Sequence, residues 1–276
     1  MSAVAVERTG GSAQPSRVST AGVLRSEWTK LRTLRSTRWS LLFAFLAMAG
    51  LGPLVAAVQM AHWTQLAPPD RATYDSVNTA VGGAHLAQLA VGVLGVLVIS
   101  GEYSTGMIRS SFMAVPRRLP VLWAKVIVFA AVVFVVMLIA SLISFYGVQA
   151  IVTQHHAQRT LGSPGALRTV IGAALYQTVL GAMCVGLGAM LRNTAGGIAT
   201  FVGLLFVLPG ISAILPASLD NSISPYLPLN AGLTVATHTF GGGSPHLTVW
   251  GGFGLFCLYA LVAVILGAIT MLRRDA

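Results

Sequence analysis

Charge is what this chain of 276 residues has least of: only 9% of its positions are Asp, Glu, Lys or Arg, and just 7 are acidic. Lysine occurs only at Lys30 and Lys125. Neither follows the glycines of a phosphate-binding Gly-x-x-x-x-Gly-Lys-Ser/Thr loop, so the chain has no such route to binding and hydrolysing a nucleotide itself. Cysteine is equally scarce. Cys184 and Cys257 each sit in an apolar run, which fits neither a metal spacing nor a disulfide framework and leaves them as small packing residues. The uncharged stretches also lack paired carboxylates, a serine with a base, and His with acidic ligands, the usual equipment of an intramembrane enzyme. No catalytic residue and no metal site are expected, and His155, His156, His238 and His246 show no ligand spacing. Ion- or proton-coupled transport marks its path with ionisable groups, and their absence argues against it.

What the chain has in quantity is apolar. Hydrophobic residues make up 55% of it and its mean hydropathy is +0.78, values that belong to an integral membrane protein. The formal net charge of +10 could suggest nucleic acid. A nucleic-acid reader, however, needs a basic soluble face interleaved with aromatic or polar readers. Here the basic residues flank apolar runs, so the expected partner is the lipid bilayer and not nucleic acid.

The fold expected is an all-α membrane protein with six transmembrane helices. Residues 1–21, rich in Ser, Gly, Ala and Thr, hold no apolar core long enough for a secretory signal and read as a disordered cytoplasmic tail. Residues 22–38 read as an amphipathic helix, with Leu24, Trp28, Leu31 and Leu34 at three- and four-residue spacing and Arg25, Lys30, Arg32, Arg35 and Arg38 around them. Such a helix lies in the headgroup layer with Trp28 at the interface. Six uncharged stretches follow within residues 39–272, at about 39–60, 79–100, 126–152, 169–191, 195–216 and 247–272. Each meets the roughly 20 residues that a bilayer requires. Residues 273–276 form a second cytoplasmic tail.

Orientation follows from the flanks. Fourteen Lys and Arg residues fall with the termini, the second-to-third connection and Arg192, against Arg71, Arg159 and Arg168 on the other side. The positive-inside rule therefore places both termini in the cytoplasm. The outer connection from Ala217 to His246 is apolar but broken by Pro225, Pro228, Pro245 and three glycines, so it is expected to be interfacial or re-entrant. Small residues four apart in the fourth, fifth and sixth stretches predict close helix packing, within the chain or at a dimer seam. His85, Gln88 and Gln177 are the strongly polar mid-span residues, expected to be buried and hydrogen-bonded.

The polar interruption between the second and third stretches holds Glu102 and four basic residues. Met107, Ile108, Ser111, Phe112 and Val115 recur there at helical spacing, which predicts a short amphipathic helix with Arg109 turned outward. Ser104 or Thr105 is placed to cap it, Glu102 to lie near its positive end, and Pro116 to stop it. Lys125 is expected to snorkel its ammonium outward.

These features together resemble the membrane subunit of ABC-2 type transporters. The residues that carry the resemblance are Ser26-Glu27-Trp28-Thr29-Lys30-Leu31-Arg32, Gly101-Glu102-Tyr103-Ser104-Thr105-Gly106-Met107-Ile108-Arg109, Val115-Pro116-Arg117-Arg118, Lys125, and Ser224-Pro225-Tyr226-Leu227-Pro228-Leu229-Asn230-Ala231-Gly232. Their style is similar to the permeases of high-GC Gram-positive bacteria. The chain departs from the commoner pattern at Tyr103, where a charged residue often follows the Glu, and at Met107, where a Thr often follows the Gly.

The resemblance implies a multi-pass protein of the bacterial plasma membrane. In it, residues 24–38, with Arg25, Glu27, Trp28, Lys30, Leu31 and Arg32, form the connecting helix. Glu102, Gly106, Met107, Ile108, Arg109, Phe112 and Pro116 form the coupling helix that docks on a separate ATPase subunit. Glu102 is expected to pair with Arg25, Arg32 or an arginine of the partner. Two permease chains, identical or siblings, would pair with two ATPase chains, which would hold the ATP and Mg; no cofactor belongs to this chain. The substrate path would lie between the permeases, lined by the second and fifth spans. The uncharged spans fit a drug, a peptide or a lipid-like cargo better than a small ion. Two rivals remain: a self-contained secondary transporter or channel, and a membrane anchor or assembly subunit.

Overall fold

In a computed structural model of the chain, residues 20–65, 67–107, 118–240 and 246–273 are described. The expected positions Ile108, Arg109, Phe112 and Pro116, and the first 19 residues, lie outside them. Among the described residues there is no strand, and six helices are long and apolar enough to cross a membrane.

The chain enters as α1 (Thr20–Thr33), breaks at Leu34, and starts the first span, α2 (Arg35–Ala61). The break comes earlier than expected, so Arg35 and Arg38 open the first span. A one-turn helix α3 (Pro68–Ala72) leads to the second span, formed by α4 (Ser76–Val81) and α5 (Ala84–Ser104). The third span is α6 (Arg118–Val152) and the fourth α7 (Ala166–Leu191). At about 1.5 Å per residue, the 35 residues of α6 reach roughly 50 Å, well beyond the hydrocarbon layer.

The fifth span is irregular: α8 (Thr194–Val202), a π-helical turn over Gly203–Val207, and α9 (Leu208–Ser212). The short α10 (Ala217–Ile223) and α11 (Pro228–Leu233) precede the sixth span, α12 (Val249–Arg273).

The fourth span is the hub, packed against the second, third and sixth. Its composition explains why. Gly186 lies against the backbone of Ala263 and Val264, and Gly267 of the sixth span faces the Gly186 carbonyl, so a Cβ at either position would collide with main chain. These small residues thus serve packing within the chain, the absence of side chains letting two backbones approach. Cys184 is buried in the same core and Cys257 is half-buried. Gln88 accepts a hydrogen bond from the Tyr176 hydroxyl and Gln177 donates to the Ala84 carbonyl, while Gln177 Oε1 is buried without a partner among the described residues and His85, expected to be buried, is exposed.

The connection after the fifth span is exposed over most of residues 217–223 and buried over most of residues 231–236. Ala231 and Val235 are fully buried, and the Val235 carbonyl presses on Gly172 of the fourth span so closely that only glycine fits there. Protein covers residues 231–236, the condition under which irregular chain would be tolerated at membrane depth.

Candidate functional site

Two polar clusters bound the second span, one at each end. The first is built on α1. Val23, Glu27 and Leu31, four residues apart, form its buried face, while Trp28 and Leu34 are about half exposed. The helix is therefore turned by roughly one residue from the phase that its leucines suggest, and an acid lies in the middle of its inward stripe.

Glu27 is buried because it is paired. Its Oε1 accepts from Lys30 Nζ at 2.7 Å, and its Oε2 accepts from Lys125 Nζ at 2.6 Å. Both lysines also donate to Glu102 Oε1, Lys30 at 3.0 Å and Lys125 at 2.9 Å. Four charges of alternating sign thus close a ring joining α1, the last turn of α5 and the start of α6. Lys125 is only 2% exposed, so it does not snorkel outward. The reason is visible in the ring: two carboxylates hold the ammonium inside.

Glu102 does not pair with Arg25 or Arg32, both of which are exposed; its partners are Lys30 and Lys125. The short helix expected after it falls on residues 108–117, outside the described residues. Glu102 belongs to the last turn of α5, where the helix dipole disfavours a carboxylate, and the two ammonium groups offset that. Ser104 and Thr105 likewise close α5, both hydroxyls donating to the Gly101 carbonyl. Gly106 adopts φ +72°, the left-handed region that glycine favours after a helix end, and Met107 beyond it is half exposed.

Burial pushes the Glu27 carboxyl up, but Lys125 and then Lys30 outweigh it and hold it below the ordinary glutamate range. Burial pulls the Lys30 ammonium down, and the two glutamates more than restore it, leaving it above the ordinary lysine value. The charged forms of Glu27 and Lys30 are therefore favoured by their neighbours. Among the described residues Glu102 Oε2 accepts no hydrogen bond.

The second cluster lies at the other end of the span. Asp75 caps α4 through Oδ1, which accepts from the Val77 and Asn78 amides at 3.0 and 3.3 Å. Its Oδ2 accepts from Thr239 Oγ1 at 2.6 Å and pairs with His238 Nδ1 at 2.8 Å. His238 Nε2 meets the Pro164 carbonyl at 2.9 Å. Both ring nitrogens face acceptors, so both bonds form together only on the protonated ring.

Asn78 reinforces the join: its carbonyl oxygen accepts from the His238 amide at 2.7 Å, and its Nδ2 donates to the Thr239 carbonyl at 3.0 Å. Arg168 Nη2 donates to the Thr237 carbonyl at 3.0 Å. Burial pushes Asp75 up, but Thr239, His238 and Asn78 hold it below the ordinary aspartate range. The other histidines are elsewhere, His155 stacked on Trp63 and His246 on Phe240. Among the described residues no three His, Cys, Asp or Glu groups come together as metal ligands.

The signals that could have found these clusters were partial. Asp75-Ser76-Val77-Asn78 is an N-cap pattern, and Glu27-x-x-Lys30 is an intrahelical pair; their distant partners have no local trace. Outside both clusters, a cavity of about 580 Å³ opens between the fourth, fifth and sixth spans, lined by Met183, Leu187, Leu204, Leu208 and Tyr259 among others.

No individually curated protein matches the chain. The family model described as ABC-2 family transporter protein matches residues 23–210, from the start of α1 to the fifth span. That stretch takes in all four members of the ionic ring. With six apolar helices and a match over two thirds of its length, the chain belongs to the ABC-2 transporter family as a multi-pass membrane permease.

Proposed function

We propose that the chain is the membrane subunit of an ATP-driven exporter, moving a drug, peptide or lipid-like compound with energy from a separate ATPase. The observation that carries this reading is the ring of Glu27, Lys30, Glu102 and Lys125. ATP-driven closure of a partner has to reach the spans through a stiff element. The ring makes α1, the second span and the third span one mechanical unit, so a push on α1 or on the segment leading from Glu102 to Pro116 moves two spans together. A coupling role for that segment, with Met107 at its exposed start, is the natural complement.

The basic residues support a cytoplasmic position for this end: Arg25, Lys30, Arg32, Lys125 and Arg192 gather there, Arg192 donating to the Thr270 carbonyl and lying over the Tyr103 ring. The apolar cavity of about 580 Å³ is of a size that small-molecule sites have, and its lining suits lipophilic cargo. Two such chains working with two ATPase chains in a bacterial plasma membrane complete the proposal.

The test is purification of the tagged chain in mild detergent, followed by identification of a bound cytosolic ATPase and ATP-dependent efflux from vesicles holding the pair. Met107→Asp is expected to reduce ATPase association while the monodisperse profile and thermal stability of the permease persist. Absence of any associated ATPase from the intact chain would favour the channel or anchor reading instead.

A further inference from the structure

The first turns of α2 hold a feature that neither the ionic ring nor the apolar cavity uses. Arg35, Arg38, Trp39 and Leu42 line a surface groove of about 330 Å³ just beyond the break at Leu34. Both arginines are exposed, and Trp39 is 70% exposed. Arg38 is fixed across the break, its Nη2 donating to the Thr33 carbonyl at 3.1 Å. Among the described residues no carboxylate lines the groove.

The same face of α2 continues downward as bare hydrocarbon. Leu42 and Leu46, 44% and 58% exposed, follow Arg35 and Trp39 at helical spacing. From Arg35 to Leu46 the helix rises roughly 16 Å at about 1.5 Å per residue. A single stripe thus presents two guanidiniums, then an indole, then aliphatic side chains. Guanidiniums match phosphate oxygens in a two-pronged geometry, indoles favour the level of the headgroups, and aliphatic side chains favour acyl chains.

We propose that Arg35, Arg38 and Trp39 seat one anionic phospholipid, its phosphate against the guanidiniums and an acyl chain along Leu42 and Leu46. Charge complementarity selects an anionic headgroup, and the apolar continuation selects a lipid over a free phosphate, which would leave the lower half of the stripe uncovered. The site stands at the elbow between α1 and the first span. A lipid held there ties the angle of α1 to the headgroup layer, which makes the lipid composition of the membrane an input to the helix that carries Glu27 and Lys30. This inference needs only the membrane setting, and holds whether or not an ATPase partner is found.

The test uses the full chain in detergent, titrated with phosphatidylglycerol or phosphatidylcholine and followed by native mass spectrometry of the bound lipid. Wild type is expected to retain phosphatidylglycerol in preference. Arg35→Gln with Arg38→Gln should weaken that retention about 30-fold, each guanidinium near the surface supplying a comparable share. Trp39→Ala should weaken it less. Thermal stability in phosphatidylcholine serves as the folding control, and both exposed substitutions should leave it unchanged.

Equal retention of the two lipids by wild type would overturn the proposal, as would phosphatidylglycerol binding unaffected by the double substitution. Competition by inorganic phosphate at the lipid's own concentration would show a phosphate site with no lipid component. Loss of an associated protein with unchanged lipid retention would assign the arginines to a protein interface.

Discussion

The two ends of the second span are held by opposite strategies. At one end, Glu27, Lys30, Glu102 and Lys125 satisfy one another almost entirely with side-chain charges. At the other, Asp75, Asn78 and His238 spend most of their bonds on backbone groups and hydroxyls. The ring binds helices to helices through side-chain charge pairs. The clasp binds a helix start to two connections, and each of its members keeps other bonds when one is lost. A buried charge network is an all-or-none coupling, while a capped turn yields by degrees.

The sharpest way to break this contrast is Lys125→Ala. It leaves two buried carboxylates sharing Lys30 alone and should cost up to about 3–5 kcal/mol, read as a large fall in thermal stability or in folded yield. Replacing the pair together, Glu27→Met with Lys125→Met, should recover most of that loss, since apolar residues of similar size are often no worse than a buried ion pair. Recovered stability without recovered efflux would separate the ring's part in transmission from its part in folding.

At the clasp, Asp75→Ala removes a helix cap and the contacts to Thr239 and His238 and should cost about 1–2 kcal/mol. Hydrogen exchange should then quicken at residues 234–239 and stay slow around Glu102. An equal response at both ends would mean that the clasp and ring form one network.

Acidity offers a milder test. Asp75 and Glu27 are both held below their ordinary values in the folded chain. Their contribution is present above about pH 4, the unfolded range, and is lost as pH falls through the lower folded values. Lys30 acts in the other direction: raised when folded, it contributes fully below about pH 10 and loses that contribution as pH rises through its folded value. Thermal melts across acid pH should therefore fall in wild type and flatten in part in Asp75→Asn.

The smallest effect is expected from Arg25→Gln with Arg32→Gln. Since these exposed residues do not reach Glu102, stability should be unaffected; a clear loss would restore them as partners of the acid.

Much of the architecture could be read from hydropathy because a bilayer imposes length and composition on every span. Glu102 was legible as a singular acid in an uncharged region, and the family likeness rested on real neighbours, α1 and the end of the second span. The ring itself was not legible. Glu27 and Lys125 are 98 positions apart, and Lys125 looks from sequence like any boundary lysine. The phase of α1 was misread because Leu24, Trp28 and Leu34 outweigh a lone inward glutamate in any apolar pattern, whereas tertiary pairing decided which side faces in. At the clasp, Asp75 and His238 lie 163 positions apart, and only the cap half leaves a local mark.

The π-helical turn at Gly203–Val207 puts one residue more into a helical turn than its neighbours contain. Because a residue of α-helix sweeps about 100°, that insertion resets the compass bearing of everything after it, from Leu208 to Ser212. The side chains that the end of the fifth span shows to the cavity are thus chosen by a count and not by their identity. Removing one residue from the turn would swing Leu208 away from the cavity and offer another wall in its place, with the opposite half of the span left as it was. One inserted peptide unit acts as a selector for the surface that cargo would meet.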